Sequence, residues 1–283
     1  LQILQYNPQT DQIAEMQNVP VHELPFTPTA AHFSPKPTGP NDIFATSGDA
    51  LRLFTINPTN DIKAALTMND PRFPYPSCGF DWNLVNPDLL CTWYLDNSCC
   101  TWNIETGKVA CAIPNTKQIF DMKYSPISPD TYCIASEQGL LQLNDTRVDK
   151  PQMLLYQMQD APDLMKLSWS SMDPNRIATF SAYGDSVVVM DIRKPYEPMT
   201  QLRIAQNQVS CIDWSTFSCN ELCIGTTDKK VMVWVIKPTN QNEHSLLEFT
   251  SQIDAEVNDV CWSKSNPEWI GAAMSGSVHY LHV

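Results

Sequence analysis

Apolar residues along this chain come in short runs of about four to seven, broken by polar turns rich in Asn, Asp, Pro and Ser. None of the runs keeps the 3.6-residue spacing of an amphipathic helix, and their content of Val, Ile, Leu, Trp and Cys suits strands. The pattern predicts an all-β protein with helical content close to nil. One motif recurs: Phe80-Asp81-Trp82-Asn83, Met122-Lys123-Tyr124-Ser125, Leu167-Ser168-Trp169-Ser170, Ile212-Asp213-Trp214-Ser215 and Val260-Cys261-Trp262-Ser263. Its aromatics stand 42, 45, 45 and 48 residues apart, about the length of one four-stranded propeller blade.

Turn chemistry repeats in step with the aromatics. Asn86-Pro87-Asp88, Asp173-Pro174-Asn175 and Asn266-Pro267-Glu268 follow three of them, and a proline that cannot donate to a ladder predicts a hairpin corner at each. A second set of corners carries an acid, Asp49, Asp96, Asp185 and Asp228. A short carboxylate there can accept backbone N–H bonds and hold a tight turn. Weaker strands at 108–113 and 199–204 close two of the units.

The units lay out as a seven-bladed WD-repeat β-propeller in a single domain, 1–283. A partial blade covers 1–20, full blades cover 29–71, 77–115, 118–160, 164–206 and 209–250, and a final blade covers 257–283. The opening unit shows two strands and the last three, so the first and last blades are incomplete. A propeller closes when one terminus supplies the strand that the other end lacks. Closure thus predicts about 35 to 50 further residues ahead of residue 1, three strands' worth. The joins at 20–28, 111–118 and 149–151 are places where further segments are expected.

The 283 residues, 43% hydrophobic, suffice for a large core. With 31 acidic against 18 basic side chains the net charge is −13, which disfavours a broad grip on phosphate backbones. Protein partners are expected before nucleic acid. Of ten cysteines, Cys91, Cys100, Cys133, Cys211, Cys223 and Cys261 lie inside apolar runs. In a chain of this size they predict buried free thiols in a reducing compartment, not a disulfide framework. No apolar stretch approaches the roughly 20 residues a bilayer span requires. A soluble monomer of cytoplasm and nucleus, without membrane contact, is expected.

Particular runs narrow the picture. Ile43-Phe44-Ala45-Thr46-Ser47-Gly48-Asp49-Ala50-Leu51-Arg52-Leu53-Phe54, Gly79-Phe80-Asp81-Trp82-Asn83 and Ile104-Glu105-Thr106-Gly107-Lys108-Val109, with Asp191-Ile192-Arg193 and Pro267-Glu268-Trp269-Ile270 later, resemble the Transparent Testa Glabra family of plants. They equally resemble its animal counterpart, WD-repeat protein sixty-eight, a DDB- and cullin-4-associated factor. The resemblance covers essentially the whole chain in order. It implies adaptor work: scaffolds that hold DYRK- and HIPK-type protein kinases and their clients in animals, or MYB and basic helix-loop-helix transcription factors in plants. Some members are proposed as substrate receptors of cullin-4 ubiquitin ligases through a Trp-Asp-x-Arg signature. Here Asn144-Asp145-Thr146-Arg147 and Met190-Asp191-Ile192-Arg193 keep the Asp and Arg without the Trp, while Trp102 and Trp234 lack the Asp and Arg. That departure weighs against the ligase role.

No catalytic or cofactor-binding constellation stands out, and no metal site is expected. Gly107-Lys108 is the one hint of a phosphate loop, but Trp102 and Val109 occupy the positions of its first glycine and its Ser or Thr. A hairpin turn explains the pair better. His279 and His282 sit at an odd spacing on one strand and point to opposite faces. Cys99-Cys100 and Cys219 with Cys223 lack zinc-knuckle spacing. The strand tryptophans fit core packing better than a stacking platform. Asp145 with Arg147, and Asp191 with Arg193, read either as local salt bridges or as partner-docking groups. Since strands are consumed by packing, a propeller binds through its loops. The segments 71–76, 160–163, 206–208 and 254–256 are the candidates on one face, and Asp160, Asp163, Asp254 and Glu256 would suit a basic partner segment.

Overall fold

The computed structural model describes residues 3–7, 12–15, 27–35, 42–57, 62–113, 117–148, 153–158, 163–204, 208–237 and 246–283. Regular structure among them is all strand, apart from one 3-10 turn at Glu137–Gly139. A two-stranded ribbon comes first, β1 (Leu4–Asn7) with β2 (Gln12–Glu15). Blade I is β3 (Ala30–Phe33), β4 (Asp42–Ser47), β5 (Leu51–Ile56) and β6 (Ile62–Met68). Blade II is β7 (Ser77–Trp82), β8 (Leu89–Tyr94), β9 (Cys99–Asn103) and β10 (Lys108–Ile113). Blade III is β11 (Ile119–Tyr124), β12 (Thr131–Ser136), β13 (Leu140–Asp145) and β14 (Met153–Gln157). Blade IV is β15 (Leu164–Trp169), β16 (Arg176–Ser181), β17 (Ser186–Asp191) and β18 (Pro198–Arg203). Blade V is β19 (Val209–Trp214), β20 (Glu221–Thr226), β21 (Lys230–Val235) and β22 (Leu246–Gln252). Blade VI has three strands, β23 (Val257–Trp262), β24 (Trp269–Met274) and β25 (Ser277–His282). Every sheet is an antiparallel meander in chain order, and the chain divides into two compact units, Leu1–Thr116 and Lys117–Val283.

The expectation of seven blades is corrected. The described residues form six, because β1 and β2 pair only with each other and add to no larger sheet. Ile3, just before the ribbon, packs instead on Phe44, Phe54, Ile56 and Ile62 of blade I.

Runs that are apolar without alternation make sense where both faces of a blade are covered, as in blade V. In β20, Leu222 and Ile224 join Phe180, Val187, Val189 and Leu202 of blade IV, while the intervening Cys223 joins Val260, Trp262 and Ile270 of blade VI. In β21, Met232 faces the first group and Val231 and Val233 the second. A strand with a two-residue side-chain period is buried continuously only when it lies between two neighbouring sheets. Blades III and IV share a similar core through Cys133, Leu141, Leu155, Leu167, Ile177 and Val188. Within the first unit, Leu51, Leu53 and Met68 of blade I meet Phe80, Trp82 and Trp102 of blade II.

The recurrent aromatic has a specific task. Trp82, Trp169 and Trp262 each donate the indole N–H to the carbonyl of the proline five residues on, Pro87, Pro174 and Pro267, at 2.6, 2.8 and 2.9 Å. The indole thereby ties the first strand of a blade to the hairpin corner that follows. Trp214 has Cys219 at that offset and donates instead to the Ser168 carbonyl, 3.1 Å away on blade IV. Each of β7, β11, β15, β19 and β23 also carries a register shift at one equivalent place, as between Val209 and Cys211. Such bulges raise the local twist of the strand.

First strands of consecutive blades in the second unit are stitched together by side chains. Asp121 accepts the N–H of Leu167 at 2.8 Å, the Ser168 hydroxyl accepts that of Trp214 at 3.0 Å, and Asp213 accepts that of Trp262 at 2.8 Å. The Ser168 hydroxyl lies 3.3 Å from Asp213 and donates to it. Lys166 reaches Asp259, 2.8 Å away, from β15 to β23.

All ten cysteines are free thiols. Cys91, Cys100, Cys133, Cys211 and Cys223 are buried as expected, but Cys261 is exposed. It lies between Val260 and Trp262, which face the core, so the strand's alternation turns its side chain the other way.

Candidate protein-binding site

In a meander, the connection of the first two strands and that of the last two lie at one end of the sheet. The middle hairpin lies at the other end, beside the link to the next blade. The Asp-x-Arg pairs sit at the first end, where β13 and β17 finish. Arg147 donates Nε and Nη2 to the two carboxylate oxygens of Asp145 at 2.9 and 2.6 Å, and its backbone N–H also bonds Asp145 at 2.9 Å. Arg193 repeats the arrangement on Asp191 at 2.9, 2.7 and 3.0 Å. Both arginine side chains are 65% exposed. The guanidinium holds the Asp145 carboxyl down at about 2 and lowers that of Asp191 as well. Asp70 and Arg72 form the same fork in a different kind of connection, so a two-residue spacing suffices for local pairing wherever the turn permits it.

Where the signature would have tryptophan, Asn144 and Met190 are buried, and the Asn144 Nδ2 finds no hydrogen-bond acceptor among the described residues. Trp102, at the matching place in blade II, donates instead to the Thr92 hydroxyl at 3.0 Å. A shallow cavity of about 420 Å³ beside the blade IV pair is lined by Arg176, Asp191, Arg193, Lys194 and Glu197. At the same end, three residues past the aromatic, Ile127, Met172 and Phe217 each leave an apolar side chain exposed.

The other end holds the middle hairpins and the links between blades. Asp49 and Arg52 are ion-paired there, with the second contact at 2.6 Å. Asp96 accepts the N–H and hydroxyl of Ser98 at 3.1 and 2.5 Å. Asp228 accepts from the Thr226 hydroxyl and pairs with Lys230 at 2.5 Å. All three anchor their turns by the carboxylate, Asp96 through the expected backbone N–H and Asp49 and Asp228 chiefly through side chains. Asp185 does not: its backbone carbonyl takes the Ile204 N–H at 2.7 Å, while its side chain is exposed and makes no hydrogen bond among the described residues.

Of the four acids expected to meet a partner, Asp160 lies outside the described residues. Asp163 is half-buried, and one carboxylate oxygen takes the Gln138 N–H at 2.8 Å, linking blade III's middle hairpin to the start of blade IV. Asp254 and Glu256 are exposed. The Asp254 backbone carbonyl receives Lys229 Nζ at 3.0 Å. None of Asp163, Asp254 and Glu256 forms an ion pair with another described residue.

Chemistry of other kinds is sparse. Among the described residues no group of three His, Cys, Asp or Glu side chains is placed to hold a metal ion. Burial pushes the thiols of Cys100 and Cys211 up to about 11 and 12, far from a nucleophilic state at neutral pH. Gly107 turns between β9 and β10 at φ 65°, its N–H bonded to the Asn103 carbonyl at 2.9 Å, so Gly107-Lys108 is a hairpin corner. No helix among the described residues is long and apolar enough to cross a membrane.

One feature at the second end was missed by sequence reasoning: Tyr183, 84% exposed on the middle hairpin of blade IV. Tyr183 stands in the left-handed region at φ 58°, as Asn97, Gln138 and Lys229 do in other middle hairpins, and no residue preference marks it in the sequence.

No family model matches the chain. Its fold is similar to that of a chain in the crystal structure of a mitotic checkpoint complex, with a TM-score of 0.75 over 100% of this chain and 81% of that one at 10% identity. That likeness shows a β-propeller fold and nothing finer. A WD repeat-containing protein of Saccharomyces cerevisiae is 22% identical over 67% of this chain and 44% of its own length. The DDB1- and CUL4-associated factor 7 homolog of Dictyostelium discoideum is 31% identical over 99% of this chain and 86% of its own length. With that identity along nearly its whole length, the chain belongs to the DDB1- and CUL4-associated factor 7 family of WD-repeat proteins.

Proposed function

We propose that this chain is a non-catalytic scaffold whose inter-blade loops hold a basic segment of a regulatory protein, a DYRK- or HIPK-type kinase with its clients or a transcription regulator. The observation that carries the reading is the presence, on one end of blades IV to VI, of acids that no described cation neutralises: Asp163, Asp254 and Glu256. A carboxylate that no cation of its own chain neutralises loses little when a partner's cation approaches, and it speeds the encounter. Tethering two proteins makes their meeting intramolecular, which raises their effective concentration without chemistry by the scaffold. The net charge of −13 favours protein over nucleic-acid partners. Action as one propeller domain and a monomer, in cytoplasm and nucleus and away from membranes, belongs to the same proposal, as does kinship with the Transparent Testa Glabra proteins.

Reversing charge at Asp163, Asp254 and Glu256 together, by Asp→Lys and Glu→Lys, tests it. Affinity purification from cells is expected to recover a kinase or transcription regulator with the unmodified chain and to lose it with the triple variant. Unchanged recovery from a folded triple variant rules the acidic loops out.

A second reading, substrate receptor of a cullin-4 ubiquitin ligase, is favoured by the name of the Dictyostelium relative and by the twin Asp-x-Arg forks of blades III and IV. Each fork presents a fixed, largely exposed guanidinium, a geometry suited to bidentate recognition. Co-purification of a cullin-4 adaptor that is lost on Arg147→Ala with Arg193→Ala would support this reading; absence of any such adaptor would dismiss it.

A further inference from the structure

The corners between the first two strands align residue by residue, and the position four past the aromatic holds Asn86, Ser128, Asp173, Ser218 and Asn266 in blades II to VI. In four of them that side chain braces its own turn by accepting the N–H two residues on: Asn86 from Asp88 at 3.3 Å, Asp173 from Asn175 at 3.2 Å, Ser218 from Asn220 at 3.3 Å and Asn266 from Glu268 at 3.2 Å. Ser128 departs from this. Its hydroxyl meets the Thr131 hydroxyl at 2.9 Å instead, and among the described residues it makes no bond to Asp130. The backbone is looser as well. The bond from the corner carbonyl to the N–H three residues on, present in blades II, IV and VI at 3.0, 2.9 and 3.4 Å, is absent at 128–131 among the described residues. Ile127 beside it is 68% exposed.

A hydroxyl that its turn does not need, in a corner that is not closed, is available as a nucleophile. Pro129 follows it, and kinases that select proline at that place recognise a residue with no N–H to satisfy. An anion also fits the position, since blade IV carries Asp173 there, ion-paired with Arg176 at 2.9 Å. In blade III a cation is at hand in Arg147, whose Nε lies 3.6 Å from the Asp130 carboxylate. We infer that Ser128 is a phosphorylation site for a proline-directed protein kinase. The γ-phosphoryl group of ATP passes to Ser128 Oγ, the bond to the β-phosphate oxygen breaking as the new O–P bond forms, and the hydroxyl proton is released with ADP. The phosphate adds about two negative charges to the end of blade III that carries the Asp145–Arg147 fork. Ser125-Pro126, in the same corner, is no such site: Ser125 is 3% exposed and its hydroxyl accepts the Ile127 N–H at 3.4 Å. The inference goes beyond the scaffold reading and does not depend on it.

Phosphosite mapping by mass spectrometry tests it, after the folded chain and a synthetic peptide of residues 122–134 are each incubated with a purified mitogen-activated protein kinase and ATP. Both are expected to carry phosphate on Ser128, with Ser125 unmodified in the folded chain, and Ser128→Ala is expected to lose that phosphopeptide. Phosphate on the peptide but not on Ser128 of the folded chain would show the corner closed to the kinase and overturns the inference. A peptide left unmodified overturns it too, because the local sequence is then no substrate. Thermal melts supply the second measurement. Ser128→Asp is expected to melt within about 2 °C of the unmodified chain, as a position suited to an anion allows. Ser125→Asp, which buries a charge, is expected to melt well below it. An equal fall in both variants would show that the Ser128 corner rejects an anion, and the inference fails.

Discussion

The backbone N–H of Trp262 points at the carboxylate of Asp213 across the seam between blades V and VI, 2.8 Å away. Burial pushes that carboxyl up to about 6, against the opposing pull of the hydrogen bonds from Trp262 and Ser168 and of the charge on Lys123. Its acid is therefore weaker folded than unfolded, and the folded state holds the extra proton between about pH 4 and 6. Stability from this group is complete below the unfolded value and declines as pH rises through 6.

Asp213→Asn removes this dependence while keeping an oxygen for the Trp262 N–H. Thermal melts are expected to show the variant gaining on the unmodified chain from pH 4.5 to pH 7.5. A constant difference across that range would mean that Asp213 titrates normally.

The indole bond from Trp262 to the Pro267 carbonyl gives a second measurable quantity. Trp262→Phe retains the ring but removes the donor, and is expected to cost about 1 kcal/mol for the bond together with a cavity cost. Trp262→Ala, emptying a site only 2% exposed, is expected to cost about 3–5 kcal/mol. Urea titration measures both, and equal stability of Trp262→Phe and the unmodified chain would show the bond to be idle.

Tyr183→Asn should stabilise the protein by about 1 kcal/mol, since asparagine tolerates the left-handed turn. A rise in midpoint temperature is the expected outcome. A fall would show that the exposed ring contributes to the fold after all.

Much of this architecture was legible in the chain. The aromatic spacing located the first strands of five blades, and Asn86-Pro87, Asp173-Pro174 and Asn266-Pro267 located the hairpin corners, because proline and a short acceptor leave the backbone few alternatives. The blade number was not legible, since two strands at the start look alike whether they begin a sheet or pair only with each other. Cys261 was misplaced because continuous apolar runs conceal which face is covered: Cys223 is enclosed between blades IV and VI, while Cys261 lies on a first strand and faces away from the packing. The candidate site was less readable still. Asp145 with Arg147 showed its spacing but not its fork, and Tyr183 went unnoticed because backbone handedness leaves no trace in residue type when the residue violates the preference.

The ten unlinked thiols have a practical consequence. Cys99 and Cys100 sit inside blade II, Cys133 inside blade III, and Cys211 and Cys223 inside blade V, all with proton affinities raised by burial. An alkylating reagent can reach them only when the enclosing sheets part, so each is a native clock for the opening of its own blade. The sequence of labelling would record, without any engineered probe, the order in which the propeller comes apart.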